Sequence, residues 1–317
     1  MSTAVAAAPA GVVAESKAMR ELLALVLRVA SARSPVLVEG ESGSGKDLLA
    51  YWLHYAGARR EGPFVKVHCP SIPAELLESE LFGHEKGAFT DARAAKAGKI
   101  EMAAAGTLYF DQVEDLAPAL QAKLLRVVEE RRFERLGGTR TIEVDVRFVA
   151  SASRGLAEAV RGGRFREDLY HRLNVVRLVL EPLRSRREDI LPLARAFLAR
   201  ERERGTTRAG GFSAEAEQLL RGYPWPGNVR ELRGAVERAA LVTPAGLVER
   251  SALPAELLAH PQALWAGRER RPTLREVEQA YIRQVLELTE GSQTRAAAVL
   301  GISRKALWQK RRRFGIA

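Results

Sequence analysis

Gly40-Glu41-Ser42-Gly43-Ser44-Gly45-Lys46-Asp47 is the stretch that decides the fold. Pro35-Val36-Leu37-Val38, just before it, reads as a short buried strand, and a helix begins near Lys46. Glycines between a strand and a helix let the backbone turn until successive N–H groups converge on phosphate oxygens, and the helix N-terminus adds its dipole. The Lys46 ammonium is then expected on the β- and γ-phosphates of a nucleotide. Gly40, Glu41, Ser42, Gly43, Ser44, Gly45, Lys46 and Asp47 are the candidate nucleotide-binding residues. Asp47 stands where the general pattern has a Ser or Thr for magnesium, so the metal must rely on a second site. Thr107-Leu108-Tyr109-Phe110-Asp111 supplies one: an apolar strand ending in a carboxylate that can hold magnesium directly or through water. A nucleoside triphosphate and Mg2+ are therefore the expected ligands, with Asp111 the candidate metal ligand.

Working outward, further β-type runs fall at residues 64–67, 107–110, 144–149 and 175–179. Helical stretches lie between them, such as 118–130 with Leu120, Leu124, Val127 and Val128 on one face, and an amphipathic helix over 14–32 comes first. Strands alternating with helices imply a parallel sheet covered on both faces, an α/β domain. After Glu181-Pro182 the strand signals stop, and 187–204, 214–221 and 227–242 read as three helices of a smaller all-α subdomain. Pro254, Pro261 and Pro272 mark 251–272 as a linker whose first half can form a short helix. The expected organisation is a flexible start over 1–13, an α/β nucleotide-binding subdomain over 14–183, a helical subdomain over 184–250, the linker, and a final helical domain over 273–317.

Composition narrows the function classes. Lys and Arg number 50 against 39 Asp and Glu, a net charge of +11 that points to a polyanionic partner such as nucleic acid. With Cys69 as the one cysteine, an intramolecular disulfide and a Cys-rich zinc site are excluded. No apolar run approaches the ~18 residues of a membrane span, and residues 1–11 lack the basic start of a signal peptide, so a cytoplasmic protein is expected.

Residues 291–317 carry seven basic side chains and no acid. A helix over 274–289, a short helix over 294–300 with Ala296, Ala297 and Ala298, the Gly301-Ile302 turn, and Ser303 as N-cap of a helix over 304–314 follow in order. Short helix, glycine turn and capped basic helix form the helix-turn-helix pattern. Leu307 is expected in its core with Val299 and Ile302. Arg304, Lys305 and Gln309 face the groove, and Lys310, Arg311, Arg312 and Arg313 meet phosphate. Arg295 and Ser303 complete the candidate DNA-binding set. Trp308 either touches a thymine methyl or covers a dimer interface.

Several segments in one order resemble the bacterial enhancer-binding proteins, the AAA+ activators of sigma-54 RNA polymerase. Residues 40–47 resemble their Walker A segment, where an acid after the lysine is normal. Residues 80–92 (ELFGHEKGAFTDA) are similar to the loop by which the family touches sigma-54, 163–175 (GRFREDLYHRLNV) to the arginine-finger segment, and 183–190 (LRSRREDI) with 225–232 (WPGNVREL) to the lid motifs. The tail resembles the Fis-type module. The resemblance implies an AAA+ P-loop domain with an α-helical lid and a C-terminal helix-turn-helix. It implies a homo-oligomer, from dimer to hexameric ring, in which Arg166 and Arg172 reach a neighbour's γ-phosphate, a task suited to a rigid permanent charge. Arg230 would be the lid's sensor residue, or else a helix-surface arginine paired with Glu231 or Glu237. Gly87, Ala88, Phe89, Thr90, Asp91 and Ala92 would contact sigma-54, with Phe89 at the tip or tucked back into the fold. Partners are then sigma-54 RNA polymerase and enhancer-type DNA. No receiver or sensory module is read ahead of the first helix, which leaves control by a partner in trans or by expression level.

Three parts of the water-activating apparatus depart from that family. Its Walker B pair is Asp-Glu; here it is Asp111-Gln112, and an amide can bond water but cannot take its proton, a loss of about 10²–10⁴-fold in base assistance. His68 replaces the Asn that pairs with that Glu, and Ala150-Ser151-Ala152-Ser153-Arg154 lacks the Thr and Asn of the sensor segment. Gln112 is thus the catalytic position at which hydrolysis is expected to be weak. The main expectation is a sigma-54-dependent regulator that binds ATP and DNA. The alternative is a non-catalytic ATP-binding regulator, or a mixed-ring modulator, that does not remodel sigma-54.

Overall fold

Five runs of β-formers set the frame of the first unit. The computed structural model describes residues 12–90, 92–153, 155–259, 273–289 and 291–316. The chain runs α1 (Lys17–Val29), β1 (Val36–Glu39), α2 (Lys46–Tyr55), β2 (Phe64–His68), α3 (Ala74–Phe82), β3 (Gly83–His84), β4 (Lys96–Ala97) and α4 (Lys99–Met102). It continues through β5 (Thr107–Asp111), α5 (Pro118–Glu130), β6 (Arg132–Glu134), β7 (Thr141–Glu143), β8 (Arg147–Ala152), α6 (Leu156–Arg161), α7 (Glu167–Leu173) and β9 (Val176–Val179). The main sheet has the order β2-β5-β8-β1-β9, all parallel. β1, β5 and β8 are buried at every position, as central strands covered on both faces must be. Parallel strands aligned this way bring the ends of β1, β5 and β8 to one edge, and the functional side chains cluster there.

The two faces have separate cores. Leu108, Phe110, Leu124, Phe148 and Leu169 lie in one; Leu23, Val26, Leu49, Leu53 and Tyr109 lie in the other. Distant residues satisfy both ends of α1. Asp189 accepts from the Glu15 and Ser16 amides at 2.8 and 2.7 Å, and the buried Arg147 donates to the Ala30 carbonyl and to that of Val29 at 2.8 Å. Such contacts offset the unpaired groups that every helix end leaves.

Compactness divides the chain into residues up to Asp189 together with Pro226–Glu231, and Ile190–Trp225 together with the residues from Leu232 onward. The second unit contains α8 (Ile190–Glu203), β10 (Arg208–Phe212), α9 (Ala214–Gly222), α10 (Asn228–Val242) beyond its first turn, β11 (Ala245–Val248) and α11 (Ala255–Ala259). The expectation of a purely helical subdomain is corrected here. β10 and β11 pair in parallel, with a register shift between Ala209 and Gly211. Both are short and carry glycine, so neither has the alternation that marks a strand in sequence. The predicted linker begins with a 3-10 turn and α11; its residues 260–272, like residues 1–11, lie outside the described residues.

α12 (Leu274–Leu288), α13 (Gln293–Val299) and α14 (Arg304–Phe314) close the chain around Ile282, Val285, Leu286, Ala296, Ala297, Leu307 and Phe314. Leu307 is fully buried and Ile302 packs against this core, as expected. Val299 does not: it is 59% exposed, because Ala296 and Ala297 already fill the inward side of α13. Ser303 caps α14, its hydroxyl accepting from the Ala306 amide at 3.1 Å.

Candidate functional site

The loop between β1 and α2 needs its glycines for two distinct reasons. Gly43 and Gly45 have φ of 75° and 112°, backbone that side chains disfavour. A Cβ on Gly43 would also lie 2.4 Å from the Gly227 carbonyl oxygen, so the returning segment 226–231 rests on the loop. That segment is tied down further. Asn228 Nδ2 donates to Glu41 Oε2 and to the Ser42 carbonyl, both at 3.1 Å, and Arg230 Nη1 donates to Ser42 Oγ at 3.1 Å. Arg184 forks onto both oxygens of Glu41 at 2.7 and 2.5 Å. The Arg184 and Asn228 bonds hold the Glu41 pKa down to about 2.

Lys46 is only 7% exposed, and its ammonium donates to the Gly40 carbonyl at 2.7 Å, the Glu41 carbonyl at 3.2 Å and Ser153 Oγ at 3.1 Å. Burial pulls its pKa below the ordinary lysine value, against the fields of Asp111, Glu114 and Asp47. Beside it Ser44 Oγ is buried with no partner. A buried cation bonded only to neutral oxygens, next to an orphaned hydroxyl, is the environment an oxyanion completes.

Two carboxylates, Asp47 of α2 and Asp111 of β5, meet at Lys66 of β2. Asp47 Oδ1 accepts from the Tyr109 hydroxyl at 2.8 Å and Oδ2 from Lys66 Nζ at 2.6 Å. Asp111 Oδ2 accepts from Lys66 Nζ and His68 Nδ1, each at 3.0 Å, and Oδ1 from Ser151 Oγ at 2.9 Å. Burial alone would raise the Asp111 pKa, but Lys66 and Ser151 outweigh it and hold the carboxyl below its usual range. Every oxygen of both carboxylates already has a protein donor, and an ammonium sits between them. The predicted metal ligand is thus at the expected strand end, but a magnesium ion would have to displace the Lys66 ammonium to lie between the two carboxylates.

Gln112 follows Asp111 in left-handed backbone, φ 61°, with its amide donating to Ser151 Oγ at 3.2 Å. Two residues on, Glu114 Oε1 accepts from the Ser153 amide at 2.7 Å, while Oε2 is buried without a partner. Burial raises the Glu114 pKa above the ordinary value. Ser153 therefore joins Lys46 to Glu114. His68 and Ser151 serve Asp111 instead of a catalytic acid.

The remaining predicted residues take varied positions. Arg166 donates to Asp168 at 3.1 and 2.8 Å, and Arg172 to Glu129 at 2.5 Å; both arginines are exposed, Arg166 at the N-cap of α7 and Arg172 in its last turn. In the tail, Arg304, Lys305 and Gln309 are exposed on the first turns of α14. Lys310 is instead paired with Glu278 of α12, and Arg295 donates to the Thr289 carbonyl at 3.3 Å, so both are engaged within the module. Arg311 is half-buried, Arg312 stacks over Trp308 at 5.6 Å, and Arg313 lies over Phe314 at 5.9 Å.

Comparison with known proteins gives three family matches in chain order. Residues 12–179 match the sigma-54 interaction domain, 184–267 the AAA+ ATPase lid domain, and 273–314 the bacterial regulatory protein, Fis family. The transcriptional regulatory protein ZraR of Klebsiella oxytoca is 46% identical over 96% of this chain and 69% of its own. The regulatory protein AtoC of Escherichia coli is 42% identical over 96% of this chain and 68% of its own. The chain belongs to the sigma-54-dependent activator family. Among solved structures, NtrX from Brucella abortus in complex with ADP superposes with a TM-score of 0.73 at 35% identity, over 96% of this chain and 70% of that one. NtrX in complex with ATP gives 0.72 at 35% identity, over the same shares.

The loop that resembles this family's sigma-54 contact is braced rather than free. The Gly87 amide donates to the Ala92 carbonyl at 2.8 Å and the Ala92 amide to the Phe89 carbonyl at 2.9 Å. Phe89 is 41% exposed, with one edge against the His84 ring at a centroid distance of 4.9 Å. It is thus half presented and half tucked. Asp91 lies outside the described residues. Among the described residues no group of three or more His, Cys, Asp or Glu is placed to hold a metal ion, and no helix is long and apolar enough to cross a membrane.

Sequence reasoning passed over Lys66, Tyr109, Glu114, Arg184 and Asn228. Tyr109 carried a usable signal: it sits two residues before Asp111 on the same strand and so on the same side, whereas Lys66 reaches Asp111 only through the pairing of β2 with β5. Glu114 carried none, since its position depends on how the chain folds back onto Ser153.

Proposed function

We propose that this activator-family chain binds ATP at residues 40–47, turns it over slowly, and couples the bound state to sigma-54 contact and DNA binding. Lys46 is the observation that carries the reading: a cation 7% exposed, held by carbonyls and a hydroxyl, at the mouth of a glycine turn. Arg230 and Asn228 supply the link between an occupied loop and the segment that leads into α10. The ADP and ATP in the NtrX structures support adenine nucleotide as the ligand. When bound, ATP contributes the free energy that shifts this segment and the subunit contacts.

Slow turnover follows from Gln112. Its amide can orient water but cannot accept a proton, and the groups around it are committed elsewhere: His68 and Ser151 to Asp111, Ser153 to Lys46 and Glu114. Arg166 and Arg172, exposed at the two ends of α7, suit contact with the nucleotide of a neighbouring copy in a ring. Phe89 and Thr90 suit contact with sigma-54. On α14, Arg304, Lys305 and Gln309 would read base edges of enhancer-type DNA, while Arg312 and Arg313 meet phosphate. The second reading is a regulator in which ATP sets assembly alone, and the saturated Asp111 carboxylate favours it.

Retention of purified sigma-54 on the immobilised chain, with ATP, ADP and no nucleotide, tests the proposal. ATP should raise retention, and Phe89→Ala should abolish the gain without weakening nucleotide binding. If nucleotide binds but retention is the same in all three states and in Phe89→Ala, the second reading replaces the first.

A further inference from the structure

The strongest unexplained feature of the first unit is the lysine lodged between Asp47 and Asp111. We infer that Lys66 is the built-in cation of this nucleotide site: its ammonium occupies the space between the two carboxylates that a divalent metal would need, and it makes adenine-nucleotide binding largely independent of magnesium. The inference rests on the proposed reading of residues 40–47 as a nucleotide site.

Lys66 lies on β2, in register with Tyr109 of β5, and His68 is in register with Asp111. Two strands thus deliver the lysine and Asp111 to one edge of the sheet, and the first turn of α2 brings Asp47 to it. Lys66 Nζ is 2.6 Å from Asp47 Oδ2, 3.0 Å from Asp111 Oδ2 and 5.6 Å from the centre of the Tyr109 ring. The Tyr109 hydroxyl, on Asp47 Oδ1, orients the first carboxylate; His68 and Ser151 orient the second.

Magnesium is small, demands near-ideal octahedral geometry and gives up water reluctantly. Entering here, it would have to displace a charged group already bonded to both candidate ligands. Lys46 and Lys66 also balance Asp47 and Asp111 one for one, so the pocket beside the loop meets a polyphosphate without net negative charge of its own. A tethered ammonium differs from a metal in one further respect: it makes hydrogen bonds but generates no hydroxide nucleophile and polarises a phosphoryl oxygen less. A site that keeps Lys66 in this position is therefore built for holding nucleotide more than for splitting it, in line with Gln112.

Titration of the full chain with a fluorescent ADP, in excess magnesium and in EDTA, gives the test. Wild type should bind with dissociation constants within about threefold of each other in the two buffers. Lys66→Met, which keeps the stem, should bind about tenfold more weakly in EDTA and recover with magnesium. Lys66→Arg, which keeps the charge, should remain closer to wild type and shows that a fold defect is not responsible. The inference is overturned if wild type itself tightens tenfold or more with magnesium, or if Lys66→Met is as indifferent to magnesium as wild type. If wild type binds no ADP in either buffer, the nucleotide reading itself falls.

Discussion

The two sides of the proposed nucleotide site differ in how closely they keep to what their chemistry demands. On the side that grips phosphate, every position has the residue type that geometry requires: Gly43 and Gly45 in left-handed backbone, Lys46 buried on carbonyls, Asn228 and Arg230 returning to the loop. On the side that would activate water, the residues are bonded to one another. Ser151 and His68 serve Asp111, Ser153 bridges Lys46 and Glu114, and Gln112 carries no ionisable group. Binding and turnover are separable demands on one loop edge, and on the proposed reading this chain meets the first while relaxing the second.

The largest expected effect breaks the gripping side. Lys46→Ala should weaken ADP and ATP roughly 10³-fold, from about two charge-assisted bonds at ~2 kcal/mol each, and calorimetry reads it directly. Loss of its three hydrogen bonds should also lower the melting temperature, so affinity is compared at a temperature where the variant is fully folded. A Lys46→Ala chain that binds like wild type would erase the contrast altogether.

Next in size is Gln112→Glu on the other side. Phosphate release at ring-forming concentration should rise on the order of 10²-fold, short of the full range because His68 and Ser153 remain. The same assay on Glu114→Gln sharpens the point. No change is expected if Glu114 only props Ser153, whereas a wild-type rate that is ordinary for this fold and falls with Glu114→Gln would make Glu114 the working base.

The reach of sequence reasoning followed the same division. The loop was legible because only glycine fits where a Cβ would meet the Gly227 carbonyl at 2.4 Å, and the tail because Ser303 and Gly301 punctuate two helices. These are local constraints, and sequence records them residue by residue. Lys66 between two carboxylates, Lys310 on Glu278 and the β10–β11 pair are products of register and long-range closure. A lysine on a strand reads as solvated until the neighbouring strand is laid beside it. Val299 was misassigned for a related reason: helical spacing allowed it inward, but two alanines allowed the helices so close that no room remained.

Smaller effects test the supports. Tyr109→Phe removes the hydroxyl bond to Asp47 and should cost about 1 kcal/mol of stability, seen as a melting shift, with nucleotide affinity little changed. The Glu41 pairing should respond to acid. Its folded pKa, about 2, lies below the ordinary 4.5, so the pair stabilises fully above pH 4.5 and fades as pH falls toward 2. The melting difference between wild type and Glu41→Gln should shrink over that window. It should be small at the outset, under ~1 kcal/mol, because the pair is exposed.

The return of Pro226–Glu231 to the first unit has a practical consequence for anyone dividing this protein into pieces. A cut after Asp189 looks natural along the chain, yet it amputates Asn228 and Arg230 from the loop they brace. A fragment ending there would keep every glycine of the loop and lose its far wall. Any weakness it displayed toward ligand would report the scissors rather than the native molecule.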